Sequence, residues 1–415
     1  MNEQGSRRPH LRFAFLTSNY YPVDRVQISI LFFKEIPARN YSIDFFLQSA
    51  QDEDHFRILP LERNIGRVLL APMRTNGATL SRIRKRIYDF FNDFRIFGQA
   101  RSNRYDFIQV RDKFVSGLLG LLAARLNRTR FIYWMTYPFP ESDLESVRQG
   151  ITAYPTLYRL RAFVNGFLLY RVLLPRADHV FAQSEQMKCD LIEKGIDAKK
   201  ITPMPMAVAD HMIPERPTQD EIDDQCVAYL GTMARIRRLD FLIRAFALVL
   251  KQRPCARLLM IGDGYEPEDM RELRQLVSDL NIADRVEFTG QLPIEAALAR
   301  VRTALVCLSP LYPSPIFNPA SPTKLVEYLA MSRAAVVTDH PEQRLVIEQS
   351  HGGICTPYDE TAFAEGILTL LADPETAKRM GRDGREYVLA HRTYSIAADR
   401  TDAVYREVCG AEAEK

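Results

Sequence analysis

Short apolar runs of strand length alternate with longer segments of helical periodicity along the chain, and the alternation starts twice. In the first half, residues 11–18 (LRFAFLTS) make a first strand, and 42–48, 56–61, 106–110, 130–136 and 179–184 follow. After a polar, proline-bearing stretch, 209–224, strands are predicted at 226–231, 257–262, 285–290, 303–308 and 334–338. Helical segments at 239–252, 267–280, 293–302, 322–331 and 361–372 separate these. Strands alternating with helices require a parallel sheet covered on both faces, here built twice. At 415 residues the chain is also too long for one ordinary core. Open parallel sheets bind ligands beyond the carboxyl ends of their strands. Two Rossmann-like domains facing across a cleft would therefore suit an enzyme with two substrates, one held by each.

Charge separates the halves. Residues 1–216 hold 32 Lys and Arg against 22 Asp and Glu, whereas residues 217–415 hold 23 against 30. A basic half joined to an acidic one points to an anionic partner: a membrane, a phosphate-bearing substrate or nucleic acid. Neither zinc-finger spacing nor an RNP-type strand motif is present, so nucleic acid is set aside. The six cysteines lie far apart with no CxxC pair, which fits a reducing compartment and argues against a structural zinc site. No secretory signal is expected in residues 1–10, and no apolar run reaches the roughly 18 residues of a spanning helix.

Three strand-end loops of the second half carry candidate chemistry. Gly231-Thr-Met-Ala-Arg-Ile-Arg-Arg-Leu-Asp240 crowds Arg235, Arg237 and Arg238 into one strand-to-helix connection. Guanidinium forks match phosphate oxygens, but a solvated charge run before an amphipathic helix reads the same way. Ile261-Gly-Asp-Gly264 and Phe288-Thr-Gly-Gln-Leu-Pro293 are either ligand-facing turns or plain strand ends. Then Ser321-Pro-Thr-Lys324 opens a helix, with Ser321 as N-cap and Pro322 in the first turn. The free amides of Thr323 to Leu325 and the Lys324 ammonium would attract an anion, and Glu327 one turn on could accept two sugar hydroxyls. The alternative is an ordinary Lys324–Glu327 surface pair at i,i+3.

Five blocks in register, VAYLGTMARIRRLDFLIRAF, LLMIGDG, RVEFTGQLP, SPTKLVEYLAM and GGICTPYDETAFAEGILTLLADPE, resemble the retaining GT-B glycosyltransferases of family 4, the "group 1" set. Residues 177–210 resemble the end of that family's first domain. The resemblance implies a first domain over 1–208, a second over 209–392, and a terminal helix, 393–415, crossing back to the first. It implies a nucleotide-diphosphate sugar as substrate, no cofactor and no metal. Arg237 takes the place of the family's diphosphate-binding Lys, with Arg235 as a second cation and Arg238 beside them. Glu327 takes the second Glu of a Glu-x7-Glu motif, on the donor ribose. Lys324, Thr323 and Leu325 would meet the phosphates. Gln291 and Leu292 would border the base, and Gly231, Gly262 and Gly264 would line the donor cleft. Arg237, Lys324 and Glu327 are the catalytic candidates.

The chain departs from that pattern at several points. Pro319 stands where the motif has its first Glu, and Thr232 where an Arg follows the glycine. Residues 19–25 replace a glycine-rich loop, and Met135-Thr136 occupy the region of a histidine. Asp112, Thr136 and Glu141 are left as acceptor-side candidates. Residues 79–104 are basic with aromatics near helical spacing, which suits an anionic membrane or packing on the sheet. Residues 155–175, also basic and apolar, admit the same two readings, with packing on the sheet favoured. The resemblance thus implies a cytoplasmic enzyme, at the inner face of a membrane, moving sugar to a saccharide or lipid-linked acceptor. A nucleotide-sugar 2-epimerase and a non-catalytic nucleotide-sugar-binding protein are the alternatives.

Overall fold

Alternate residues along three strands of the second half feed two separate cores, and this requires helices on both sides of the sheet. On β9 (Asp223–Leu230), Val227 and Tyr229 enter one core while Cys226, Ala228 and Leu230 enter the other. The same alternation runs along β10 (Arg257–Ile261) and β13 (Ala334–Thr338). With β11 (Val286–Phe288), β12 (Ala304–Ser309) and β14 (Gly353–Thr356) they form a wholly parallel sheet of order β11-β10-β9-β12-β13-β14. The order reverses between β9 and β12, which makes their carboxyl ends the switch point where such sheets bind ligands. This computed structural model describes residues 9–62, 65–73, 79–150, 152–215 and 222–410.

The chain divides into two compact units, Met1–Pro205 with Tyr394–Lys415, and Met206–Thr393. The first unit holds β1 (Leu11–Tyr21), β2 (Tyr41–Ser49), β3 (Arg57–Pro60), β4 (Gly66–Ala71), β5 (Phe107–Arg111), β6 (Arg130–Met135), β7 (His179–Ala182) and β8 (Ile201–Pro203). Their order is β3-β4-β2-β1-β5-β6-β7-β8, parallel except for β3 at the edge. The helix Tyr394–Cys409 covers one face of this sheet. Its Tyr405 packs on Phe107, which stacks on Phe13, and its hydroxyl donates to Gln109 Oε1 at 2.5 Å.

Several sequence expectations change. Residues 56–61 form an antiparallel edge strand, and β4, β8 and β14 were not anticipated. β4 opens on a glycine and carries an arginine, so it lacks an apolar strand's signature. Gly66 is nonetheless required there: its φ is +131°, and a Cβ would lie 2.0 Å from Ile43 O. The terminal helix runs Tyr394–Cys409, and a separate helix, Pro374–His391, precedes it. Of the segment 155–175, Ala162, Leu169, Leu173 and Leu174 pack inward, while Leu157, Leu160, Phe163 and Phe167 of the helix Pro155–Phe167 face outward. Within 79–104, Asn92 and Asp93 are buried while Ile87, Phe91 and Phe94 are exposed; the Ile83 side chain lies outside the described residues.

Candidate active site

At the carboxyl ends of β9 and β12 lies a pocket of about 400 Å³, within the usual range for small-molecule sites. Gly231, Thr232 and Arg237 border it on one side, Leu311, Phe317 and Ala320 on another, and the start of the helix Thr323–Ala330 forms its floor. A cavity of about 460 Å³ lies at the opposite end of the same sheet, but its cations are matched by acids: Arg257 pairs with Asp223, and Arg300 with Glu287 at 2.5 Å. The switch-point pocket differs in carrying cations without such partners among the described residues.

The helix start is arranged differently from its sequence reading. Pro322 is the N-cap, not the first helical residue, and no side chain caps the helix. Ser321 instead accepts a hydrogen bond from the Met206 amide at 2.9 Å. The first-turn amides, those of Thr323 to Leu325, are therefore left to a ligand or water, with the positive end of the helix dipole behind them. Thr323 lines the pocket, whereas the Leu325 side chain is in the core, so only its amide can contribute.

Lys324 and Glu327 are not a surface pair. Both line the pocket, half-buried, and no ion pair joins them among the described residues. The Lys324 ammonium donates to the Tyr229 hydroxyl at 3.0 Å and lies 4.2 Å from that ring's centroid. Burial, aided by the charge of Arg237, pulls its pKa down to about 7. Burial pushes Glu327 up to about 7, against the opposing pull of Lys324. Both groups thus titrate near neutrality, a condition that an arriving anion would resolve in favour of the charged lysine. Gly231 makes this geometry possible. Its φ is +146°, and a Cβ would stand 3.2 Å from both Lys324 Nζ and the Tyr229 hydroxyl.

The three arginines of the β9 loop separate. Arg237 reaches the pocket, lies 5.7 Å from the Phe317 ring centroid and has no carboxylate partner among the described residues. Arg235 is instead bound through both guanidinium arms by Glu272 and is exposed. Arg238 sits at φ +50° with its guanidinium 4.0 Å from the Tyr312 ring centroid. Neither Arg235 nor Arg238 lines the pocket. Gly262 lies beneath the floor, where a Cβ would be 2.2 Å from Gly231 O, and Gly264 is packed on Asp269. Gln291 is exposed and Leu292 packs on the core below, and neither lines the pocket. Ile294 lines it instead.

Sequence reasoning missed Tyr229, Leu311 and Ile294. The loop bearing Phe317 is anchored from behind: His340 Nε2 donates to Phe317 O at 2.7 Å, and the Thr338 hydroxyl to Leu311 O at 2.7 Å. A buried histidine between Asp339 and Pro341 is a signal that could have pointed to this loop.

In the first unit, Asp112 and Thr136 meet at the carboxyl ends of β5 and β6. The Thr136 amide donates to Asp112 Oδ1 at 2.8 Å and its hydroxyl donates to Oδ2. Asp112 holds φ +55°, and burial raises its pKa against the pull of Arg111, whose Nε is 3.9 Å away. Glu141 belongs elsewhere: both its oxygens accept from Tyr170 at 2.9 Å, and Lys194 pairs with it at 3.0 Å. Among the described residues no three His, Cys, Asp or Glu side chains gather as metal ligands.

Two Rossmann-like units, one with an anion-seeking pocket at its switch point, define a protein of the GT-B fold. The family described as "Glycosyl transferases group 1" matches residues 224–373, and "Glycosyl transferase 4-like domain" matches 33–207. The chain belongs to these group 1 glycosyltransferases. It is similar to the alpha-D-kanosaminyltransferase of Streptomyces kanamyceticus, 25% identical over 189 residues, 45% of this chain and 47% of that one. It thus spans about half the length of that relative. It is also similar to the alpha-monoglucosyldiacylglycerol synthase of Streptococcus pneumoniae, 23% identical over 94% of this chain and 83% of that one. Among solved structures, the sucrose-phosphate synthase of Thermosynechococcus elongatus shares the fold, with TM-score 0.71, 19% identity, and coverage of 97% of this chain and 100% of that one.

Proposed function

We propose that the chain is a retaining glycosyltransferase that moves a sugar from a nucleotide-diphosphate donor to a saccharide or lipid-linked acceptor. One observation carries this reading: Arg237, Lys324 and an uncapped helix start converge on a single pocket, with Glu327 one turn beyond. Cleaving the glycosyl–phosphate bond puts charge on the departing diphosphate. Fixed cations and amides at that point stabilise the transition state more than the ground state, and they supply the countercharge without a metal. Glu327 holds the donor ribose, and Thr323 and Gly231 line its path. The acceptor attacks the face that the leaving group vacates, and the leaving phosphate oxygen takes the acceptor proton. Asp112 with Thr136 is the first unit's candidate for positioning the acceptor.

The relatives support a sugar-transfer chemistry, and one of them carries a glycolipid in its name. A lipid-linked acceptor agrees with residues 79–104, basic and bearing exposed Ile87, Phe91 and Phe94, resting on an anionic membrane at its cytoplasmic face. No helix among the described residues is long and apolar enough to cross a membrane.

The test is a panel of UDP, GDP, ADP and TDP sugars, read first for binding and then for nucleotide release with acceptor. Neutralising Arg237 and Lys324 together should abolish binding; unaltered affinity for every compound would defeat the reading. Pro319, in place of a carboxylate, favours a second reading, a protein that binds the donor without turning it over. Tight binding with no release under any acceptor would select it.

A further inference from the structure

The helix Pro155–Phe167 is built inside out. Its large apolar side chains, Leu157 (59% exposed), Leu160 (59%), Phe163 (73%), Val164 (43%) and Phe167 (55%), form a stripe at helical spacing that faces solvent, and Tyr154 (68%) continues it at the amino end. The side against the protein is small or ionic. Ala162 is buried, Gly166 approaches Pro140, and Arg161 is clamped by Asp143, at 2.6 Å through its Nε. Burying an apolar stripe is the main reason amphipathic helices form in proteins, so a stripe turned to water marks a surface that meets something else.

We infer that this helix lies flat in the surface of an anionic lipid bilayer. Charge chooses the occupant. Residues 149–177 contain four arginines and no Asp or Glu. Arg159 and Arg171 have no carboxylate partner among the described residues, and Arg148 of the neighbouring helix has only Glu145 at 3.7 Å. A second copy of the chain docking face to face would set these arginines against each other, and residues 149–177 carry no acid to match them. Lipid phosphates supply that match, and aliphatic and aromatic side chains need no shape-complementary partner to enter an acyl boundary. The helix runs on through Leu168–Leu173 and Leu174–Arg176, whose Leu169, Leu173 and Leu174 are buried in the protein, and no helix among the described residues is long and apolar enough to cross a membrane, so the outward stripe is suited to lying in the plane. Tyr154 and Phe167 set aromatic rings at both ends of the stripe, where interfacial anchors are favoured.

The inference does not depend on the donor-site reading, since the helix belongs to the first unit and the donor pocket to the second. Full-length protein is sedimented with vesicles of phosphatidylcholine, with and without phosphatidylglycerol. The wild type should bind the mixed vesicles, weakly bind the neutral ones, and lose binding as salt rises. The double change Leu160→Glu with Phe163→Glu should cut binding by at least about tenfold. Arg159→Gln with Arg171→Gln should cut it by roughly fivefold per arginine and flatten the salt dependence. Both variants should keep the thermal midpoint and UDP-sugar affinity of the wild type, because none of the four side chains is buried. Unbound wild type, or binding untouched by the Leu160/Phe163 variant, overturns the inference. So does a wild-type dimer that this variant dissociates, since the second copy would then be the occupant.

Discussion

The pocket's most distinctive chemistry is a lysine and a glutamate both poised near neutrality, and donor binding should show it as a pH dependence with a defined sign. Lys324 is lowered by burial to about 7, so in the free protein it carries charge below that pH and loses it above. An arriving diphosphate favours the charged form and raises the pKa in the complex. Binding therefore takes up a proton in the window above pH 7, and affinity falls as pH rises. The lysine alone cannot make the fall exceed tenfold per pH unit, because it contributes one proton. The fall also has a floor, the affinity of the protein whose lysine is neutral. A charge-assisted contact is worth about 1.5–3 kcal/mol, which puts that floor roughly 10- to 150-fold below the acid limit. Glu327, raised to about 7, ionises over the same range and adds repulsion to a diphosphate, so it steepens the fall.

The assay is calorimetric titration of the cognate nucleoside diphosphate between pH 6 and 9, in two buffers of different ionisation heat, with wild type, Lys324→Met and Glu327→Gln. Lys324→Met should bind at the wild type's alkaline floor and lose most of the proton uptake. Glu327→Gln should keep the uptake on the lysine but show a shallower slope above pH 7. A wild-type affinity flat across this range, or a Lys324→Met variant with undiminished proton uptake, would refute the reasoning.

Arg237→Ala should weaken the nucleoside diphosphate by about tenfold or more without lowering the thermal midpoint, because among the described residues the guanidinium has no carboxylate partner to strand. Arg235→Ala, which breaks only an exposed pair with Glu272, should change affinity less than twofold in the same titration. Gly262→Ala should lower stability in urea by about 1–3 kcal/mol, since its φ is +130° and the new Cβ would meet Gly231 O; an unchanged midpoint would contradict the packed floor. Asp112→Asn should reduce the turnover number while leaving nucleotide affinity unchanged, and an affinity loss instead would remove Asp112 from the acceptor side.

The switch-point pocket was legible because its parts are local. A strand ending in glycine, a basic turn and a helix opening with Thr-Lys are each complete within ten residues, and the sheet order brings them together. What stayed hidden depends on distant partners. Nothing in the run Arg235-Ile-Arg237 says which arginine faces the pocket; Glu272, far along the chain, holds one and leaves the other. Tyr229 reads as one more apolar strand residue until Lys324, 95 positions later, is found on its hydroxyl.

The outward stripe at 155–167 shows a different kind of limit, and one that can be narrowed. Periodicity proves that a helix has an apolar face; it is silent on whether protein or lipid meets that face. The opposite face is more informative. Ala162 is buried, and at Gly166, four residues on, a Cβ would meet Pro140 at 3.6 Å, so a side chain much larger than alanine there would press on that neighbour. Small residues mark the side that touches protein, so the bulky residues between them must point away. Coupled with a stretch of 29 residues without a single acid, that pattern separates a surface-seeking helix from a core helix of equal hydrophobicity. It predicts that Gly166→Leu should destabilise the fold more than Leu160→Ala or Phe163→Ala, an order opposite to that of a core-facing stripe. Thermal unfolding of the three variants decides it: the two alanine variants should unfold within about a degree or two of the wild type, and a larger loss in either would return the stripe to the core.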